Sequence, residues 1–220
     1  MTQAKPLAIA FDMDGVLIDS QPLHYKLDIA LIEACGHPAN LDIVTPLTGI
    51  SNPDRCRRFK ESLALPQPID WIIERHTQIM IEIFTQADLA PIDGIPNLLK
   101  FLHSQGIPCA VASSSPHELI NLVLDKCQIK QYFAHLISGE DVKAGKPAPD
   151  IYLKAAKAFG LPPGQCIAIE DAPSGILAAK NAGFTCIAYI NPSTHGQDFT
   201  HANYVVSHYD QCHEIISGRL

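Results

Sequence analysis

From Ile95 to the C-terminus, apolar runs of strand length alternate with amphipathic helical segments, and this alternation restricts the fold more than any other feature of the chain. The pattern predicts a helix over Ile95 to Gln105 closed by Gly106, a strand over Ile107 to Ala112 and a helix from Pro116 to about Cys127. Further strands are expected at Leu136 to Ser138, Cys166 to Glu170, Thr185 to Ile190 and Asn203 to Val206, with helices between the first three. Strands alternating with helices build βαβ units and hence a parallel sheet. An earlier apolar run, Leu7 to Phe11, reads as a buried first strand. A βαβ unit needs only ~30 residues, yet about a hundred positions separate Asp12 from Ser113, so roughly 70 residues are surplus.

The surplus is helical. Leu23, Leu27, Ala30, Leu31 and Ala34 form one amphipathic stripe, ended by Gly36 and Pro38. A second helix is expected with Asn52 as cap and Pro53 at its first position, showing Cys56, Phe59 and Leu63 on one side. A third runs from about Ile69 to Phe84, with Ile72, Ile73, His76, Ile79, Met80 and Ile83 in register. The expected architecture is α/β: a parallel-sheet core with helices on both faces, formed by residues 1–19 and 92–220, and a small all-helical cap domain, 20–91, inserted after the first strand.

Net charge is -7, so there is no electrostatic footprint for nucleic acid or an anionic membrane. The first apolar run is broken by Asp12 too early for a signal peptide, and no apolar stretch approaches the ~18 residues a membrane span needs. The seven cysteines are odd in number and form no CxxC pair, which favours reduced thiols in a cytoplasmic protein. The ten histidines form no HxH or HExxH arrangement, and none is assigned to a metal. The balance fits a protein acting on a small molecule, with neither nucleic acid nor membrane as partner, as a monomer or weak homodimer.

Chemistry-bearing residues fall where the strands stop, which is where open α/β sheets bind ligands. The first strand runs into Asp12, Met13, Asp14 and Gly15, and the glycine permits a tight turn that brings both carboxylates to one pocket. Like charges so close resist joint ionisation, and Mg²⁺ relieves this by taking one or two carboxylates together with phosphate oxygens. The second strand ends in Ser113, Ser114 and Ser115, hydroxyls suited to a phosphate oxygen. Ser115 and Glu118 also fit a capping box, and the helix they open offers N–H groups to an anion. Lys146 lies in KAGKPAPDIY, where prolines restrict the backbone, whereas Lys143 reads as a solvated surface charge. A further strand runs into Glu170 and Asp171 on the same edge as Asp12.

The stretch FDMDGVLIDS resembles motif I of the haloacid dehalogenase superfamily. Ser113 resembles its motif II hydroxyl, Lys146-Pro147 its motif III, and EDAPSGILAAKNAG its motif IV. The resemblance implies a Rossmann-like core and a Mg²⁺-dependent phosphatase. Asp12 would then be the nucleophile that becomes an aspartyl phosphate, and Asp14 the general acid and base. Ser113, Ser114 and Lys146 would bind the transferring phosphoryl group. The metal would be held by Asp12, the Asp14 backbone carbonyl, Asp171 and, directly or through water, Glu170.

The helical insertion and the tail GVLIDS followed by His24 look most like the β-phosphoglucomutase and sugar-phosphate phosphatase branch. LTGIS, with Gly49 and Ser51, resembles the substrate-recognition loop of that branch's cap, and Asn52 stands where β-phosphoglucomutases carry an arginine. Arg55 or Arg75 could supply that charge instead, although Arg75, on the polar side of the third helix, reads first as part of a solvated face. A phosphatase acting on a sugar phosphate or similar monoester is expected first and a phosphosugar mutase second. A non-catalytic phosphate-binding module comes third, since its signature would be loss of Asp14 or Lys146, and both are present.

Overall fold

The computed structural model describes residues 7–47, 52–194 and 197–219. The chain divides into two compact units, Met1–Asp19 with Leu89–Leu220, and Ser20–Asp88. Pro91 and Ile92 belong with the first unit because Ile18 bridges to Pro91 and the Ile92 amide donates to the Leu17 carbonyl at 2.9 Å.

The first unit carries strands β1 (Ala8–Phe11), β2 (Cys109–Ser113), β3 (His135–Ser138), β4 (Cys166–Glu170), β5 (Thr185–Tyr189) and β6 (Tyr204–Val206). They form one parallel six-stranded sheet in the order β3-β2-β1-β4-β5-β6, the parallel sheet expected from the alternation and the Rossmann-like core that the resemblance implies. Its helices are α5 (Ile95–Ser104), α6 (His117–Lys126), α7 (Asp150–Phe159), α8 (Pro173–Ala182) and α9 (Tyr209–Ser217).

Period-two alternation sorts the sheet's side chains onto two faces. Ala8, Ala10, Ala110, Ala112, Ala168 and Ala188 share one face and form a single cluster with Ile151, Tyr152, Ala155 and Ala156 of α7 and Ile176, Ala178, Ala179 and Ala182 of α8. Alanine against alanine lets both helices lie close to the strands. The opposite face carries the larger Ile9, Phe11, Val111, Ile167, Ile169 and Ile187, all with no solvent exposure. Phe11 meets Phe133 edge to face at 5.8 Å.

Register brings the strand ends level. Phe11 pairs with Val111 on one side and Ile169 on the other, and the Asp12 amide continues the ladder to the Ile169 carbonyl at 3.0 Å. The residues after Phe11, Ala112 and Ile169 therefore emerge side by side at the carboxyl edge.

The second unit contains α1 (Gln21–Ala34), the short α2 (Leu41–Val44), α3 (Asn52–Ser62) and α4 (Ile69–Gln86). Leu27, Leu31 and Ile32 of α1 are buried, as are Ile72, His76, Ile79, Met80 and Phe84 of α4 and Cys56 and Phe59 of α3. The stripe read for α4 contains most of its buried face, and that for α3 holds Cys56 and Phe59. In α1 only Leu27 and Leu31 of the stripe are buried, Ala34 is exposed, and Asp28 and Ile32 complete the buried face. Gly49 and Ser51 lie outside the described residues.

Candidate active site

The site is assembled at the carboxyl ends of β1, β2 and β4. Asp12 follows β1 directly and is 8% exposed. Beyond it the chain makes a compact turn, in which the Leu17 amide donates to the Met13 carbonyl at 2.8 Å and the Gly15 amide to the Ile18 carbonyl at 2.8 Å. Gly15 has φ +77°, and a Cβ there would collide with the Asp171 carboxylate. Only glycine satisfies both the left-handed backbone and the close approach.

Lys146 is the cation of the site, its side chain 7% exposed. Its ammonium donates to Asp12 Oδ1 at 2.8 Å and to Glu170 Oε1 at 2.6 Å, so one charge joins groups from the first and fourth strands. Glu170 has the sheet parity of Ala168 and therefore points to the face covered by α7 and α8. There the Tyr152 hydroxyl of α7 donates to the same Oε1 at 2.5 Å, and Gly175 of α8 lies so close that any Cβ would strike the Glu170 carboxylate. Tyr152 did not stand out in the sequence. Its signal was position alone, on the buried side of the helix that follows Lys146.

Carboxylates outnumber ammonium groups here, and the electrostatics follow. Burial, then the charges of Glu170 and Asp14, push Asp12 up to about 7 against the opposing pull of Lys146. Burial, then Asp12 and Glu170, hold Asp171 well above the usual carboxylate range. Burial alone would lower Lys146, but Asp12 and Glu170 beside it keep the ammonium above lysine's ordinary value.

Oxygens of Asp12, Glu170 and Asp171 all lie within 4.8 Å of one another. Glu170 Oε2 is buried with no hydrogen-bond partner, and an orphaned carboxylate oxygen in an anionic cluster calls for a cation. This all-oxygen donor set suits a hard divalent ion such as Mg²⁺. Gln197 flanks Asp171, its Nε2 donating to the backbone oxygen at 2.8 Å and to Oδ2 at 3.4 Å. Asn191, 1% exposed, donates from Nδ2 to the Gly15 carbonyl at 3.3 Å. Neither was foreseen, since both lie in irregular chain after β5.

The serines separate. Ser113 is buried, and its Oγ accepts from the Ser115 amide at 3.1 Å, which leaves its own proton for another acceptor. Ser114 is exposed. Ser115 does not form the expected capping box: Pro116 precedes α6 without a side-chain cap, and the Ser115 hydroxyl instead donates to Asp14 Oδ2 at 3.0 Å. The N-terminus of α6 also receives a carboxylate from the protein itself, with the His117 amide donating to Glu140 Oε2 at 2.9 Å. That amide is therefore taken by a side chain rather than left for a phosphate. Lys143 is exposed, in keeping with a solvated charge.

The remaining expected residues lie in the second unit. His24 on α1 packs edge to face against Phe84 at 5.7 Å. Asn52 opens α3 and accepts from Arg55 Nη2 at 2.7 Å. Arg55 is buried, its Nε 3.2 Å from Asp28 Oδ1, while Arg75 on α4 pairs with Glu82 at 3.3 Å. Both arginines offered for a second phosphate already have carboxylate partners on their own unit.

Residues 6–183 match the family model described as haloacid dehalogenase-like hydrolase. Among the chain's relatives is the phosphorylated carbohydrates phosphatase of Thermotoga maritima, 30% identical over 176 residues that cover 80% of this chain and 81% of that protein. Among solved structures, CbbY from Rhodobacter sphaeroides in complex with phosphate is 26% identical with a TM-score of 0.82, covering 93% of this chain and 95% of that one. The β-phosphoglucomutase of Clostridium difficile is 26% identical with a TM-score of 0.80, covering 98% and 97%.

Proposed function

The chain belongs to the haloacid dehalogenase-like hydrolases, and from that premise we propose that it is a Mg²⁺-dependent phosphatase of small phosphate monoesters, a sugar phosphate first among them, working through an aspartyl phosphate on Asp12. The observation that carries this reading is the buried contact of Lys146 with both Asp12 and Glu170, beside Asp171, at the edge where the strands end. A carboxylate so placed has one oxygen bound to a fixed cation, and its other oxygen would be the one to attack phosphorus.

In the first step an Asp12 oxygen attacks phosphorus, the ester P–O bond breaks, and Asp14 gives its proton to the leaving oxygen. In the second, Asp14 removes a proton from water, which attacks the aspartyl phosphate and frees Asp12 and inorganic phosphate. Lys146 supplies a cation that needs no reorganisation as charge develops. Ser113 has a hydroxyl proton available for a phosphoryl oxygen. Asp12, Asp171 and Glu170 would hold Mg²⁺, with the Asp14 carbonyl as a further donor, and the bound ion would offset the repulsion between carboxylates and phosphate.

Likeness to a β-phosphoglucomutase supports a phosphosugar mutase as second reading. A mutase has to hold a second phosphate, and the existing partners of Arg55 and Arg75 weigh against it. The test is Mg²⁺-dependent phosphate release from p-nitrophenyl phosphate and from a panel of phosphorylated metabolites. Asp12→Asn is expected to abolish it, and normal activity in that variant refutes the assignment. Slow hydrolysis of acetyl phosphate with rapid isomerisation of glucose 1-phosphate would move the mutase to first place.

A further inference from the structure

Ser115 is held more firmly than a helix-capping serine requires. Its amide donates to Ser113 Oγ at 3.1 Å, its carbonyl accepts from Ser138 Oγ at 2.7 Å, and the residue is 4% exposed. Gly139, next to Ser138, packs against this segment so closely that a Cβ would lie 2.7 Å from the Ser114 carbonyl. The hydroxyl thus projects from a backbone fixed on both sides, and it reaches 101 positions back along the chain to Asp14 Oδ2 at 3.0 Å. It caps nothing.

We infer that Ser115 is a positioning residue for the proton donor: its hydroxyl, donating to Asp14 Oδ2, fixes the orientation of that carboxyl and favours the carboxylate it becomes when its proton goes to the leaving group. This rests on the reading of Asp14 as general acid. As the bond from Asp12 to phosphorus forms and the ester P–O bond breaks, the electron pair of that bond passes to the leaving oxygen. That oxygen takes the proton from Asp14, and Asp14 becomes a carboxylate. A hydroxyl donating to Oδ2 binds that carboxylate more strongly than the neutral acid. The interaction therefore grows along the reaction, which is the condition for accelerating it.

The consequence is a dependence on the leaving group. p-Nitrophenolate departs with little need of a proton, whereas phenolate, whose conjugate acid has a pKa of about 10 like the tyrosine ring, needs one. Phenyl phosphate and p-nitrophenyl phosphate are similar in shape, so the pair isolates proton donation from recognition. We expect Ser115→Ala to lower kcat/KM about 30-fold for phenyl phosphate and about 3-fold for p-nitrophenyl phosphate, a difference in keeping with one charge-assisted hydrogen bond. Ser115→Thr, which keeps the hydroxyl, is expected to restore the wild-type ratio between the two substrates. An equal fall for both substrates, or no fall for either, would overturn the inference and leave Ser115 a packing residue. Failure of the wild type to hydrolyse either ester, or full activity of Asp12→Asn, would instead bring down the proposed function itself.

Discussion

Replacing Lys146 with methionine keeps most of the side chain's volume and removes its charge from the centre of the site. The ammonium lies 2.8 Å from Asp12 and 2.6 Å from Glu170. At an effective dielectric of about 20, each contact is worth about 6 kcal/mol of attraction. Desolvation of the buried ions opposes this by several kcal/mol per ion, and removing one partner of such a group costs a net ~3–5 kcal/mol. The cost should depend on pH in a definite direction. Asp12 already titrates at about 7 with Lys146 pulling it down, so in the variant it rises further. Above pH 7 the folded variant then holds a proton that both the unfolded chain and the folded wild type have released. A folded state that binds more protons loses stability as pH rises, so the deficit grows by up to ~1.4 kcal/mol per pH unit. Urea unfolding in EDTA at pH 6, 7 and 8 measures this. A deficit below about 1 kcal/mol, or one flat over that range, would refute the electrostatic account. Phosphatase activity is expected to fall by roughly 10²–10³, as for loss of a preorganised charge at a reacting centre.

Two further contacts, one in each unit, give testable outcomes. Gln197→Ala removes the donor on Asp171 and is expected to weaken Mg²⁺ binding about tenfold, as outer supports of metal ligands do; titration calorimetry with Mg²⁺ alone reads this, and unchanged affinity would dismiss Gln197 as a support. Arg55→Met breaks the buried contact with Asp28, whose side chain is 2% exposed, and should cost ~3–5 kcal/mol in thermal or urea unfolding. Adding Asp28→Asn should recover most of that loss, because the uncompensated charge goes with it; a double variant no more stable than the single one would show that the arginine acts through packing instead.

Much of the fold was legible because its signals are local. A strand shows as a short apolar run and a helix as a stripe, and parallel connection follows from their alternation. The boundaries moved by only a residue or two: the second strand runs Cys109–Ser113 rather than from Ile107, and the last cap helix reaches Gln86. Asp12, Glu170 and Asp171 could be singled out because apolar runs stop abruptly at the acids, and Lys146 because Lys146-Pro147 resembles a motif of the family. Ser115 was misread for the same reason. A serine followed three residues later by a glutamate is a local capping pattern, and nothing within reach in the sequence announces an acceptor a hundred positions away.

By itself, the sequence determined which strands exist, that they run parallel, and that acids and hydroxyls stand at their carboxyl ends, while the lysine was marked only by its resemblance to a family motif. Tertiary structure alone decided how these groups are shared: that Lys146 spans Asp12 and Glu170, that Tyr152 donates to the same glutamate oxygen, that Gln197 braces Asp171, and that Ser115 serves Asp14 and not its own helix. The physical reason is that periodicity and turn chemistry act over a few residues, whereas strand register and the packing of α7 and α8 set which side chains meet across the sheet edge. Register is a property of the whole assembled sheet, and it becomes readable only when the strands lie side by side.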